Sequence, residues 1–173
     1  QRQMCIRDRD TPTELFATPF FKVVQDGKYF VIHERATENG VVVAAQREDG
    51  CFLLARLFRQ AIGGFSLEFP RGAIDAGESA IEAGRREAME ETGFFCKGVT
   101  HLGRMHSNTS LLHSHVVLVH AEVDTTMQMA TDGEVESIQW VTRSELDHLI
   151  LSGVITDSHT LAAYLKLKLM AEA

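Results

Sequence analysis

Two apolar runs, Val41 to Ala45 and Phe52 to Phe58, narrow the folds open to this chain more than any other feature. A strand with one wet face alternates apolar and polar residues. These runs scarcely alternate, so both faces of each strand must be buried. Glu48-Asp49-Gly50 between them signals a tight turn, which makes the two strands central neighbours. A second hairpin is expected from Phe20 to Val24 and Tyr29 to His33, around Asp26-Gly27. Gln60 to Phe65 reads as a loop, and Leu67 to Pro70 leads into a glycine-punctuated segment. A helix should then run from about Ala80 to Thr92, since Ser79 and Glu82 fit a capping box and Gly93 suits the position after the last turn.

Further strands are expected at Val99 to Met105, His115 to Val123 and Ser137 to Val141. Two helices follow. One starts near Thr142, with Glu145 completing another capping box, and stops at Gly153; the other runs from about Ser158 to Met170 with Leu161, Leu165 and Leu169 as its buried stripe. Trp140 and Phe58 are expected in the core. This order predicts an α/β fold, a mixed sheet with helices on both faces. At 173 residues the chain suits one well-buried core, so 16–173 is read as a single domain and 1–15 as a leader expected to be disordered.

A net charge of −7 disfavours nucleic acid and anionic membranes as partners. A small phosphorylated ligand is compatible with it if a metal and local arginines offset the field. No apolar run approaches the roughly 20 residues that span a bilayer. Cys5, Cys51 and Cys96 form no C-x-x-C pair, and a reducing cytoplasm is the simplest setting. His113 and His115 form an H-x-H without a third ligand at zinc spacing, which favours a structural role.

The chemistry concentrates in one segment, GAIDAGESAIEAGRREAMEETGF, from Gly72 to Phe94. On a helix Glu87 and Glu91 are i and i+4, with Glu90 beside them, so three carboxylates share a patch about two turns long. No Lys or Arg stands four residues after any of them, and a hard, oxygen-seeking cation would relieve their repulsion. Ile81, Ala83, Gly84 and Ala88 give the helix a small, apolar face for close packing on a sheet. Gly72 and Gly77 let the backbone before it approach a phosphate or a metal. A charge run is ordinarily a solvated face, but here the glycines and Arg86 keep fixed spacing with the glutamates.

That spacing resembles the Nudix box at each of its fixed positions. With roughly 6% usage at each of seven residues, a chance match in this length is below about one in a million. The resemblance implies an α/β/α sandwich with an N-terminal β-hairpin, and Mg²⁺-dependent hydrolysis of a nucleoside diphosphate linked to another moiety, with Mn²⁺ as a substitute. It implies Glu87, Glu91 and Glu90 as metal ligands with the Arg71 carbonyl, Glu90 also orienting water, Arg86 holding the glutamates, and Glu78 bracing the loop.

A wider resemblance, from Phe16 to Met170, points to the branch that holds ADP-ribose pyrophosphatases and other nucleotide-sugar hydrolases. Ala55-Arg56-Leu57-Phe58-Arg59 is similar to its V-R-Q-Y-R, Leu67-Glu68-Phe69-Pro70-Arg71-Gly72 to its L-E-L-P-A-G, and Gly153-Val154-Ile155-Thr156-Asp157-Ser158 to its G-x-I-x-D-[AS]. By that likeness Arg59 would contact phosphate, Glu68 the sugar hydroxyls and Arg56 the substrate, while Arg71 replaces the usual alanine and could face an acidic substrate or Glu68. Glu134 would be the general base, Asp132, Glu136 and the box glutamates being alternatives. The implied products from ADP-ribose are AMP and ribose 5-phosphate, and the N-terminal strands imply a homodimer. Where the branch carries a proline about fifteen residues after the box, this chain reads Ser107 to Leu112, which leaves dinucleoside polyphosphates, noncanonical triphosphates and noncatalytic nucleotide binding as alternatives.

Overall fold

The computed structural model describes residues 11–36 and 38–171. Residues 1–10, the larger part of the expected leader, lie outside the described residues; its end does not read as a leader, because Thr13–Ala17 forms a strand, β1. The chain divides into two compact units, one comprising the chain to Asn39 with His106–His115, the other Gly40–Met105 with the chain from Val116 onward.

In the first unit β1 pairs antiparallel with β2 (Phe21–Asp26), which pairs with β3 (Tyr29–Glu34). The turn is made at Gly27, whose φ of 60° suits glycine. The segment 106–115 returns along β3. Ile32 N–H donates to the Leu111 carbonyl at 2.7 Å, His113 N–H donates to that of Ile32 at 2.9 Å, and the rings of His33 and His113 stack at 4.5 Å. His113 is thus a loop residue, and His115 is buried at the start of a strand.

The second unit is built on a seven-stranded mixed sheet. Its path runs β10 (Ser137–Val141), β5 (Phe52–Arg59), β4 (Glu38–Gln46), β9 (His115–Asp124), β8 (Phe95–Met105). The continuously apolar strands β4 and β5 are central, as their sequence requires. Alternate residues serve opposite faces. Val41, Val43, Ala45 and Leu53 pack with Ala83 and Ala88 of α1 (Ala80–Thr92). Val42, Ala44, Phe52 and Leu54 pack with Leu146 of α2 (Arg143–Leu151) and with Ala163 and Tyr164 of α3 (Ser158–Ala171).

The expected loop from Gln60 to Phe65 holds a 3-10 turn at Gln60–Ile62, and β6 begins at Gly64. β4 and β5 are registered at Gln46↔Phe52 and then accept a wedge of chain between them. β6 (Gly64–Glu68) pairs with β5, the Pro70 carbonyl accepts from Val43 N–H at 2.8 Å, and β7 (Arg71–Gly72) pairs with β4. Pro70, which has no N–H to satisfy, stands at the crossing.

Two core assignments are corrected. Leu165 and Leu169 are each 56% exposed, while Thr160, Ala163 and Tyr164 are buried. α3 carries leucines on several sides, and its rotation is set by contacts no periodicity encodes: Tyr164 lies edge-on to Phe52 at 5.6 Å, and the Thr160 hydroxyl accepts from Phe69 N–H at 3.0 Å. Phe58 is also exposed, beyond the end of the β10 pairing, with its ring against Phe65.

Candidate functional site

The site is set by where α1 starts, stops and faces. Ser79 and Glu82 form the reciprocal capping box, and Gly93 ends the helix at φ 77°. Gly84 lets the helix lie close on the sheet, since a Cβ there would come within 3.1 Å of Val119 Cγ2. That face down, Glu87 and Glu91 are carried inward as buried residues, 9% and 4% exposed. Glu87 fits only because residue 72 is glycine: a Cβ at Gly72 would stand 2.0 Å from the Glu87 carboxyl carbon. Arg71 N–H reaches a Glu91 oxygen at 3.3 Å.

Arg86 organises the outer side. Its guanidinium forks onto Glu78 at 3.1 and 2.9 Å, reaches Glu87 at 2.6 Å and Glu90 at 3.0 Å, and donates to the Ala73 carbonyl at 2.8 Å. One planar cation thereby joins the glycine loop to the acidic helix. Burial pushes Glu91 up to about 8; the Arg71 N–H opposes this, and the charges of Glu87 and Asp132 add to it. Burial likewise raises Glu87 against the pull of Arg86. Two buried carboxylates that resist ionisation in the metal-free chain suit a cation that would stabilise their charged forms. With Glu87 and Glu90 both turned to Arg86, no three acidic, His or Cys side chains among the described residues surround a common point able to hold a metal.

Beside the acidic helix lies a second charged group on the wedge. Arg59 forks onto Glu68 at 3.0 and 2.7 Å, and Arg71 Nε donates to it at 2.6 Å. Burial by itself would raise Glu68, 1% exposed, but the arginine hydrogen bonds outweigh it and hold the carboxyl below its ordinary value. Both oxygens of Glu68 therefore already have partners, and the pair Arg59 and Arg71 keeps a net positive charge.

The structure brings Glu87, Glu91, Glu90 and Arg86 into one group and Arg59, Glu68 and Arg71 into another, the two joined by the Arg71–Glu91 hydrogen bond. Arg56 belongs to neither. Three residues from Arg59 on β5, it points to the opposite face, ion-paired with Glu136 and with its guanidinium 3.7 Å from the Phe65 ring centroid. The segment 125–136 is strapped to the end of α1: Met129 N–H donates to the Gly93 carbonyl at 2.7 Å, Gln128 Nε2 to Thr92 at 3.0 Å and Asp132 N–H to Glu90 at 2.9 Å. Its carboxylates are placed differently. Asp132 acts electrostatically on Glu91, Glu136 is taken by Arg56, and Glu134 is exposed. Thr160, unremarked in the sequence, touches the wedge through Phe69; its signal was the Asp157-x-x-Thr160 spacing at the start of α3.

Fold and site together define a two-sided α/β sandwich in which a glycine loop feeds a carboxylate-bearing helix. The NUDIX domain model matches residues 36–164, and the chain belongs to that family. Among curated proteins it is 33% identical to the ADP-ribose pyrophosphatase of Saccharomyces cerevisiae, over 49% of this chain and 38% of that protein. It is 32% identical to the ADP compounds hydrolase NudE of Escherichia coli, over 51% and 47%, and 48% identical to the ADP-sugar pyrophosphatase of Mus musculus, over 25% and 20%. Each match thus spans less than half of the relative's length. A crystal structure of an ADP compounds hydrolase superposes with TM-score 0.76 at 21% identity, covering 94% of this chain and 95% of that one, which establishes the shared fold.

Proposed function

We propose that this protein hydrolyses the pyrophosphate bond of a nucleoside diphosphate derivative, with ADP-ribose or a nucleotide sugar as substrate and Mg²⁺ as the metal. The observation that carries this reading is the pair of buried carboxylates, Glu87 and Glu91, set against Gly72 and next to the arginines of the wedge. The names of the relatives favour an ADP-linked substrate. The donors suit a hard divalent cation: Glu87, Glu90 and Glu91, with the Arg71 carbonyl, would hold it, Mn²⁺ serving as a substitute. When bound, the cation supplies charge neutralisation on the pyrophosphate oxygens and a more acidic water.

The chain's own residues do the rest. Arg59 and Arg71 attract and orient the phosphates, Arg86 holds Glu87 and Glu90 together beside the glycine loop, and a carboxylate of the 125–136 strap accepts the proton of the attacking water. Glu134, exposed on that strap, is free to swing for this work, and Asp132, electrostatically coupled to Glu91, is its rival. For ADP-ribose the products are AMP and ribose 5-phosphate.

A panel led by ADP-ribose, with ADP-glucose, diadenosine polyphosphates and nucleoside triphosphates, assayed with Mg²⁺ and with EDTA, tests the reading. Mg²⁺-dependent AMP from ADP-ribose is expected. Turnover of another member alone would keep the chemistry and discard the substrate, and binding without turnover would identify a nucleotide sensor. The same proposal includes a homodimer, supported by the exposed Phe16, Tyr29 and Phe30 of the three-stranded sheet with Phe20 before β2, and a cytoplasmic setting, supported by the free thiols of Cys51 and Cys96. No helix among the described residues is long and apolar enough to cross a membrane.

A further inference from the structure

The segment Gly153 to Asp157 precedes α3 and takes no part in the function as proposed, yet its acidic residue, Asp157, reaches the wedge. Asp157 caps α3: its carbonyl accepts from Leu161 N–H at 3.1 Å, and one carboxylate oxygen accepts from Thr160 N–H and from the Thr160 hydroxyl, each at 2.8 Å. The hydroxyl of Thr160, fully buried, in turn accepts from Phe69 N–H at 3.0 Å. The other Asp157 oxygen lies 3.3 Å from His159 Nδ1 and 3.8 Å from Arg71 Nη2. Asp157 therefore grips the wedge twice, at the Phe69 backbone through Thr160 and at the Arg71 guanidinium directly. Those two points flank Pro70 and follow Glu68, whose carboxylate holds Arg71 Nε.

We propose that Asp157 is a positioning residue for substrate: through Arg71 and the Thr160–Phe69 hydrogen bond it fixes the arginine pair Arg59 and Arg71 in the orientation that receives the substrate phosphates. For its substrate the proposal rests on the pyrophosphatase reading. Arg71 is hydrogen-bonded at Nε to Glu68, and the Asp157 charge 3.8 Å from Nη2 favours the rotation that turns Nη2 toward it, whereas an arginine held at Nε alone can turn about that bond. Order fixed before binding spares the cost of immobilising a long side chain.

Two substitutions keep the helix cap and remove the grip. Asp157→Asn retains an acceptor for Thr160 but loses the charge facing Arg71, and Asp157→Ser caps as well but cannot reach the guanidinium. Two readouts separate positioning from mere structure. Steady-state kinetics with ADP-ribose and Mg²⁺ should show KM raised about tenfold, the loss of roughly one charge-assisted contact, with kcat within about twofold. Nitrogen-15 NMR of the arginine side chains should show rotation about the Arg71 Cζ–Nη bonds, slowed in the parent protein, becoming faster in both variants, while the Nε–H groups of Arg59 and Arg71, both bound to Glu68, keep their protection. Unchanged KM in variants that fold, or a fall in kcat and thermal stability with KM constant, would overturn the proposal; so would an unmoved Arg71 signal. If the parent protein leaves ADP-ribose intact, the function reading fails, and the NMR comparison decides the positioning of Arg71 by itself.

Discussion

At Glu91 burial bears directly on the proposed metal site. In the metal-free protein its carboxyl is pushed up to about 8 from an ordinary 4.5, chiefly by burial. Between those values the folded chain keeps a proton that the unfolded chain has released, so the stability this proton contributes is greatest below pH 4.5 and is lost as pH rises toward 8. Thermal melts in EDTA should accordingly fall more steeply across pH 6 to 8 for the parent than for Glu91→Gln, and parallel curves would reject the assignment. Under the proposed function a bound Mg²⁺ would compete with the same proton, so its affinity should rise over that interval, and Glu91→Gln should remove most turnover. Gly72→Ala tests the fit beside it. The new Cβ would meet only the end of the Glu87 side chain, so the chain should fold while the displaced carboxylate weakens Mg²⁺ binding about tenfold, measured by calorimetry.

Among the elements, α1 was readable end to end, because its signals are local. Ser79, Glu82 and Gly93 act on their own turns, and both ends fall where the spacing placed them. Ser79→Ala should cost about 1 kcal/mol in urea unfolding. Gly93→Ala should do more than strain φ, because its Cβ would stand 2.3 Å from the Met129 carbonyl oxygen. The 125–136 strap should loosen, seen as faster amide exchange at Met129 and Asp132, and unchanged exchange there would show that the strap does not depend on this contact. α3 was readable as a helix but not in its facing. A leucine-rich helix offers several stripes, and the sheet chose the one bearing Thr160 and Tyr164, for a buried N–H and an aromatic edge contributed by residues far away in sequence.

Across the whole molecule, Phe16, Tyr29 and Phe30 of the three-stranded sheet and Phe20 in the turn before β2 are exposed, and clustered exposed aromatics mark an interaction surface. Light scattering at micromolar concentration should return twice the chain mass, and Phe30→Lys should shift it toward the monomer. What the sequence alone determined follows from short-range chemistry: two doubly buried strands, a capped helix with its carboxylates on one face, and a glycine loop before it. What only the tertiary structure decided depends on residues that distant chain segments bring together. The wedge from Gly64 to Gly72 enters between β4 and β5, and this sets Glu68 and Arg71 against Arg59 and Asp157. Strand alternation turned Arg56 away from that group to Glu136 and Phe65. Spacing along a chain fixes which side chains share a face, but which face meets which partner is settled only when buried polar groups must all find one another at once.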